Sequence, residues 1–522
     1  MHETQTVQKD RVLVDAVRTS PVDEDLLRFR RTAVIIVVAV LVVLLALFLW
    51  RFRVDSPVTY KSDEDHFKYG SIGAEPGGSV FSPVGGVLPP YDIFRVLPDI
   101  CPDKLPGGYA SLGLIVEPGH DMPIGVSKRK RLGFEQVALN CAGCHTGTYR
   151  ASPHDQPKIV LGMPAHSLDL QRFFDFVTSC TLDPRFTPDN VIGKIQAAGG
   201  DLGFIDRWLY RSQVIPTTRE SVLRLRARVG PLLDGSVTQW GLGRVDTFNP
   251  YKAIQFNWRL QDLPRSELIG ASDYPALWNQ KPRDGMQLHW DGNNTSLAER
   301  NLSAALGAGV TPVTVDHARL NRVRDWIKDL RPPRYPFAID EALAAKGETA
   351  YREHCVRCHA DHRFGVDGHL EKGWLVGEVD PIERIGTDRY RLDSYTLAFA
   401  SNQYTLYPHS EHQFRNFRKT NGYANQPLDG IWARAPYLHN GSVPTLRDLL
   451  EPPEARPKLF YRGYDVYDPE KVGFRSDVAE EKGRRYFAFD TSVPGNGNGG
   501  HLYGTRLPAE DKQAIVEYMK KF

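Results

Sequence analysis

The chain has 522 residues, with 65 Lys and Arg against 63 Asp and Glu, a formal charge of +2. So even a balance excludes a whole-chain field that draws nucleic acid, and 41% apolar with 25% charged residues excludes wholesale disorder. A single long apolar run excludes a polytopic membrane protein, and 45 Gly with 37 Pro point to long, turn-rich connections.

That run is Ala33 to Trp50, without a charge or a proline. At 1.5 Å per residue it is about 27 Å long as a helix, close to a ~30 Å hydrocarbon core. Phe48 and Trp50 stand where interfacial aromatics belong, Arg28, Arg30 and Arg31 precede it, and Arg51 and Arg53 come after it. The flanking charges favour an inside amino terminus only weakly. A cleaved signal peptide and a buried core helix are the rival readings. The stretch before the run is long for a signal, and no small-x-small site comes after Trp50. The expectation is an uncleaved single-pass anchor in a bacterial inner membrane: 1–32 a cytoplasmic tail, 33–50 the transmembrane anchor and 51–94 a linker or periplasmic extension.

Four of the six cysteines fall in two identical arrangements, Cys141-Ala142-Gly143-Cys144-His145 and Cys355-Val356-Arg357-Cys358-His359. C-x-x-C-H is the spacing of c-type haem attachment. Two thiols at the start of a helix reach both vinyl groups of one porphyrin, and the next histidine gives its imidazole to the iron. A zinc knuckle would want four ligands close together, and a redox dithiol needs no histidine after it. The expected cofactors are two covalent haem c groups, with a Ca2+ ion left open. The haem domains are expected in the periplasm, where such attachment is made. Cys101 and Cys180 remain, an even pair in a compartment that permits disulfides. Either they are bridged or they are two buried thiols.

The context of the two sites suggests one module used twice. Gly133 and Gly347 each lie eight residues before the first cysteine of a site. Each module also closes on a similar amphipathic segment, Val323 to Leu330 and Ile515 to Phe522. A glycine on the first helix would let an aromatic of the last helix come close. Pro332-Pro333 ends the first module. The predicted class is mainly α, two cytochrome c-type haem domains (95–335 and 336–522) with long loops, preceded by one transmembrane helix.

Further segments carry a resemblance. Ala435-Pro436-Tyr437-Leu438-His439-Asn440-Gly441-Ser442-Val443-Pro444-Thr445-Leu446, Leu288-His289-Trp290-Asp291-Gly292-Asn293 and Ile385-Gly386-Thr387-Asp388, with the two haem sites, are similar to the bacterial di-haem cytochrome c peroxidase/MauG superfamily. Within it the likeness is nearest to the rubber-oxygenase branch. The resemblance implies two unequal haems, one six-coordinate and passing electrons, the other with an open face for H2O2 or O2. It implies His145 and His359 as proximal ligands. It implies His501, in Gly500-His501-Leu502-Tyr503-Gly504, as the second ligand of the carboxy-terminal haem, with His439 either the alternative ligand or a group near the haem edge. Trp290 matches a tryptophan between the haems. For the first haem, Met163 and His166 are candidate ligands, or both pack in the wall of an open site.

One departure stands out. The peroxidases continue to a glutamate that serves as general acid and base on bound peroxide. Here Ser296-Leu297-Ala298-Glu299-Arg300-Asn301 runs on without a carboxylate where one is wanted, and Glu299 is expected to pair near Arg300 or with solvent. Lys128 to Arg131 is a basic run that suits an acidic electron donor, anionic lipid or plain solvent. Arg219, Arg224, Arg226 and Arg228 suit haem propionates or an exposed helix face. The leading expectation is a membrane-anchored di-haem oxidoreductase, peroxidase-like or dioxygenase-like. Its partners would be the inner membrane, a small electron-transfer protein or quinol chain, and a small oxidant. The competing expectation is a non-catalytic di-haem electron carrier.

Overall fold

The computed structural model describes residues 21–73, 88–131 and 133–522. Residues 1–20 of the expected tail and 74–87 of the expected extension lie outside the described residues. The chain divides into two compact units, residues 1–55 with 131–133, and residues 56–130 with 134–522.

In the first unit the described element is one helix, Pro21–Arg53. Its segment Asp25–Arg51 contains a window of mean hydropathy 3.4, and the side chains from Val34 to Trp50 are exposed. Length and hydropathy suit a membrane-spanning or signal-anchor helix.

The second unit is built of helices with strands of only two to six residues. The expected linker is partly structured. Ser62 caps the helix Asp63–Tyr69 by accepting from the Asp65 amide. Phe67 and Tyr69 are buried on this helix, and Phe67 lies 4.9 Å from the ring of Trp326. Cys101 and Cys180 are joined by a disulfide that ties the helix Tyr91–Ile100 to the helix Leu170–Thr181.

The structure contains a repeat, but it is not the one read around the two glycines. Gly347 lies inside the helix Glu341–His354, whereas Gly133 sits between the strands Val126–Arg131 and Phe134–Leu139 with φ +79°. A helix therefore leads into one haem sequence and a strand into the other. Gly347 does permit a close approach, but of backbone: a Cβ there would overlap the Ala514 carbonyl of the helix Ala509–Met519.

The repeat lies downstream of each C-x-x-C-H. In the first copy the strand Arg244–Asp246 pairs antiparallel with Ala271–Asp273; in the second, Val379–Pro381 pairs with Gly422–Ala424. A tight loop comes next. It is closed by a bridge between Leu288 and Asn294 in one copy and between Tyr437 and Val443 in the other. Each loop has left-handed residues at its second and fifth positions, His289 (φ +64°) and Gly292 (φ +62°), then Leu438 (φ +67°) and Gly441 (φ +63°). Each leads into a capped helix, Leu297–Gly307 behind Ser296 and Leu446–Leu449 behind Thr445. The copies exchange equivalent hydrogen bonds. Asp273 N donates to the His439 carbonyl (2.9 Å) and Ala424 N to the Trp290 carbonyl (2.8 Å).

Both large cores draw on residues before and after 335. One gathers Met163 and Trp278 with Tyr351, Trp432, Tyr467 and Ile515; the other gathers Phe248 and Leu302 with Phe399 and Phe417. The two copies are thus packed as one body around shared apolar surface, the main stabilising term of such a fold.

Candidate haem-binding sites

The first site is set by Asn140. Its side chain accepts from Ala142 N (3.0 Å), capping the short helix Cys141–Cys144, and donates to the carbonyls of Lys68 and Gly70 (3.2 Å each). Burial pushes the Cys141 and Cys144 thiols up to about 11 and about 12. His145 Nδ1 lies 2.8 Å from the Pro275 carbonyl. A carbonyl only accepts, so Nδ1 carries the proton and Nε2 is left with its lone pair, the form a metal takes. Burial holds this ring neutral, near 4.

Two adjoining cavities meet at His145, of about 200 Å³ and about 260 Å³. The smaller is lined by both cysteines and by Arg283, Arg300, Arg324 and Arg434. Arg283 and Arg434 pair with Asp429. Among the described residues Arg300 has only the Asn301 side-chain oxygen as partner (3.0 Å), and burial, then Arg283, lowers it to about 10. A half-buried guanidinium with no carboxylate partner among the described residues suits the propionate of a haem. The larger cavity has a mainly apolar wall, including Leu170, Phe174, Leu225, Val229 and Trp240.

Of the two readings of Arg219, Arg224, Arg226 and Arg228, haem propionates or an exposed helix face, the structure favours the second for the first three. Arg224 pairs with Glu220 (2.6 Å), Arg219 donates to the Leu182 carbonyl (3.2 Å), and Arg226 lines a separate cleft. Their helix, Ile215–Val229, contributes Leu225 and Val229 to the cavity wall instead. The basic run is likewise engaged within the fold, through Lys128 with Asp121 and Arg129 with Asp316.

At the second site Cys355 ends the helix Glu341–His354 and the helix Val356–His359 begins directly after it. His359 Nδ1 lies 2.8 Å from the Gln426 carbonyl, the counterpart of the His145 contact. The His501 ring is 6.1 Å from that of His359, centroid to centroid, at 39°. With metal–imidazole bonds of about 2 Å and about 1 Å from nitrogen to ring centre, two ligands of one iron stand about 6 Å apart. The pair fits one metal ion between two rings. Burial, then His359, brings His501 to about 3, and among the described residues its buried Nδ1 has no hydrogen-bond partner.

The His501 loop is fixed from two sides. His501 N donates to the Ile385 carbonyl (2.7 Å). Gly500 (φ +69°) packs where any Cβ would overlap the backbone of Gly386, so the Ile385 to Asp388 segment forms the floor of this loop. Arg456, buried and without a carboxylate, donates to the carbonyls of Leu449, Glu451, Asn498, Gly500 and His501.

Trp290 lines both cavities of the first site and donates from Nε1 to the Asp273 carbonyl (2.8 Å). It packs against the cluster of Ile382, Leu392 and Tyr423, as does Ile385, whose carbonyl holds His501. His439 takes the position in the second loop that Trp290 has in the first. It stacks on Tyr423 (4.0 Å), with Nε2 2.9 Å from the hydroxyl that donates to Asp388 O. The ring facing His359 is that of His501, so His439 supports the site from beside Tyr423.

Met163 is enclosed in the Trp278 core, and His166 stacks on Phe474 at 3.9 Å beside a different, small cavity. Both belong to the packing. Glu299 is a structural group: its amide is capped by Ser296, and its carboxylate accepts from Asn294 Nδ2 and from Arg415 N, Asn416 N and Asn416 Nδ2. This corrects the expected pairing near Arg300 or with solvent; four amide donors claim the oxygens. For calcium, the described residues offer Asp361, His369 and Glu371 within ligand reach, but Arg363 already pairs with both carboxylates.

Comparison with known proteins gives one partial family match and two relatives. A family model described as RoxA-like, cytochrome c-like, matches residues 422–461, from the strand Gly422–Ala424 through the second loop. An uncharacterised protein y4iJ of Sinorhizobium fredii (strain NBRC 101917 / NGR234) is 28% identical over 80% of this chain and 82% of its own length. A second, y4iM, is 34% identical over 40% of this chain and 50% of its own length. The matched segment carries Gln426 and His439, and it supports a cytochrome c-type, haem-binding redox protein.

Proposed function

We propose that the chain is a membrane-anchored periplasmic di-haem c-type cytochrome with oxidoreductase activity. Cys141, Cys144 and His145 hold the haem that meets H2O2 or O2. Cys355, Cys358, His359 and His501 hold a six-coordinate haem that passes electrons. The observation that carries this reading is an asymmetry. Across from His359 stands a second imidazole at 6.1 Å, whereas His145 borders an apolar cavity of about 260 Å³. Haem supplies redox chemistry at an open coordination position and electron transfer where both positions are filled.

The protein's own residues do the rest. The Pro275 and Gln426 carbonyls orient the proximal rings, and Arg300 offers charge to a propionate. The apolar wall excludes water from the reacting face, which strengthens any polar contact there. Trp290 and the Tyr423 cluster provide packed aromatic contact between the two sites. The pseudo-symmetric loops support two haem domains of common design, with the division near residue 335 marking the repeat.

The test is a spectroscopic titration of the purified, haem-loaded chain with cyanide and, after reduction, CO. One high-spin, ligand-reactive haem per chain is expected, beside one low-spin haem that His501→Ala makes reactive. Two unreactive low-spin haems would leave the electron-carrier reading and overturn this one.

A further inference from the structure

We infer that His289 is the proton acceptor at the open face of the first haem, positioned by Asn293. The inference rests on the proposed reading of that haem and assigns the acid–base group that Glu299 does not supply.

His289 lines both cavities that meet at His145. Its Nδ1 lies 2.6 Å from Asn293 Oδ1, inside the tight loop closed by Leu288 and Asn294. An amide oxygen only accepts, so Nδ1 bears the proton and Nε2 carries a lone pair. Among the described residues Nε2 has no hydrogen-bond partner. Burial keeps the ring neutral, near 4, so the lone pair stays available in ordinary buffers.

The carboxylates close by are committed. Asp246, which lines the larger cavity, accepts from Phe248 N, Asn249 N and Asn249 Nδ2, Asp273 is bound by Arg462 (2.8 Å), Asp291 pairs with Arg391 through Oδ1, and Glu299 receives four amide donors. Ala304 and Ala308 border both cavities with small side chains, which leaves room beside the imidazole. The pseudo-symmetry adds an independent argument. The same left-handed loop position holds Leu438 in the second copy, so the backbone does not demand histidine there. The imidazole belongs to the copy whose proximal histidine borders the larger cavity.

The step assigned to His289 is proton transfer. A haem held by Cys141, Cys144 and His145 would take up a weak acid such as hydrogen peroxide or hydrogen cyanide as its anion, with the proton passing to His289. The acid's O–H or C–H bond breaks, the pair stays on the anion, and a new N–H bond forms at Nε2 to give an imidazolium. No electron changes owner. A positioned base of this kind is worth about 10²–10⁴ in rate.

The experiment uses stopped-flow cyanide association with the full, haem-loaded chain, with CO binding to the reduced protein as the control, since CO carries no proton. His289→Leu is expected to keep the high-spin spectrum and the CO rate while slowing cyanide at least about 100-fold. Asn293→Ala should slow cyanide less, because the base remains but loses its orientation. His289→Gln serves as a second variant, and the low-spin spectrum of the other haem reports that each protein has folded. An unchanged cyanide rate in both His289 variants would overturn the inference while leaving the open haem intact. Equal slowing of CO would reduce the effect to steric access and also overturn it. Conversion of a low-spin haem to high spin by His289→Leu would make His289 an iron ligand, contrary to both readings.

Discussion

Replacing Gly347 by alanine gives a sharp test of how the carboxy-terminal helix is seated. Two effects oppose each other. Alanine is favoured over glycine in a helix interior by about 1 kcal/mol. Against this, the new methyl would overlap the Ala514 carbonyl and sit 3.0 Å from Ile515 N, both backbone atoms of the facing helix. Backbone cannot swing aside as a side chain can, so the helices must part by about 1 Å or more, loosening the Tyr351 contacts with Tyr518 (5.4 Å) and Phe522 (5.1 Å). Overpacking of this kind costs about 1–3 kcal/mol and more when backbone must move. The clash should win, for a net loss of about 2 kcal/mol. Gly193 is the internal control. It lies in the helix Pro188–Ala197 with nothing within 4 Å of its Cβ position, so Gly193→Ala should gain up to about 1 kcal/mol. Urea denaturation monitored by far-ultraviolet circular dichroism measures both. A Gly347→Ala midpoint equal to or above that of Gly193→Ala would refute the reasoning.

Two further outcomes concern buried groups. Arg456→Met leaves five half-buried carbonyls without this donor, at up to about 1–3 kcal/mol for a group fully stranded. The His501 loop should loosen, so that CO reaches two haems per chain instead of one; unchanged CO stoichiometry would contradict a positioning role. His166 is lowered to about 4, chiefly by burial, and among the described residues neither ring nitrogen has a partner. Since the unfolded ring titrates near 6.5, the unfolded state binds the extra proton. Stability is therefore full above pH 6.5 and falls toward pH 4, by up to about 3 kcal/mol. His166→Phe keeps the stack on Phe474 and should flatten that slope in urea titrations run from pH 7 to 4.5; an unaltered slope would assign it to other groups.

The chemistry legible in the sequence is written in adjacent residues. The two C-x-x-C-H runs, the apolar run ending at Trp50 and the Gly500-His501 setting each need no knowledge of distant contacts. The pairing of Cys101 with Cys180 rests on parity and compartment. The illegible part depends on partners far along the chain. Arg219 to Arg228 and Arg300 look alike as sequence; only packing separates the exposed helix face from the cavity wall. Glu299 reads as an acid paired near Arg300 or with solvent until the amides of Arg415 and Asn416 are placed on its carboxylate. A signal for the true repeat is present, though. Gly292-Asn293-Asn294-Thr295-Ser296-Leu297-Ala298-Glu299 and Gly441-Ser442-Val443-Pro444-Thr445-Leu446-Arg447-Asp448 share the glycine, the capping hydroxyl, the leucine and the acid at one spacing. The matched glycines 133 and 347 are a coincidence of spacing, one in a turn and one in a helix.

The account stands on two porphyrins held covalently by one chain. A pyridine haemochrome assay on protein produced with c-type haem attachment measures this directly. Two haem c groups per chain are expected, falling to one when Cys355 and Cys358 are both changed to alanine. One or none in the unaltered chain would contradict the account.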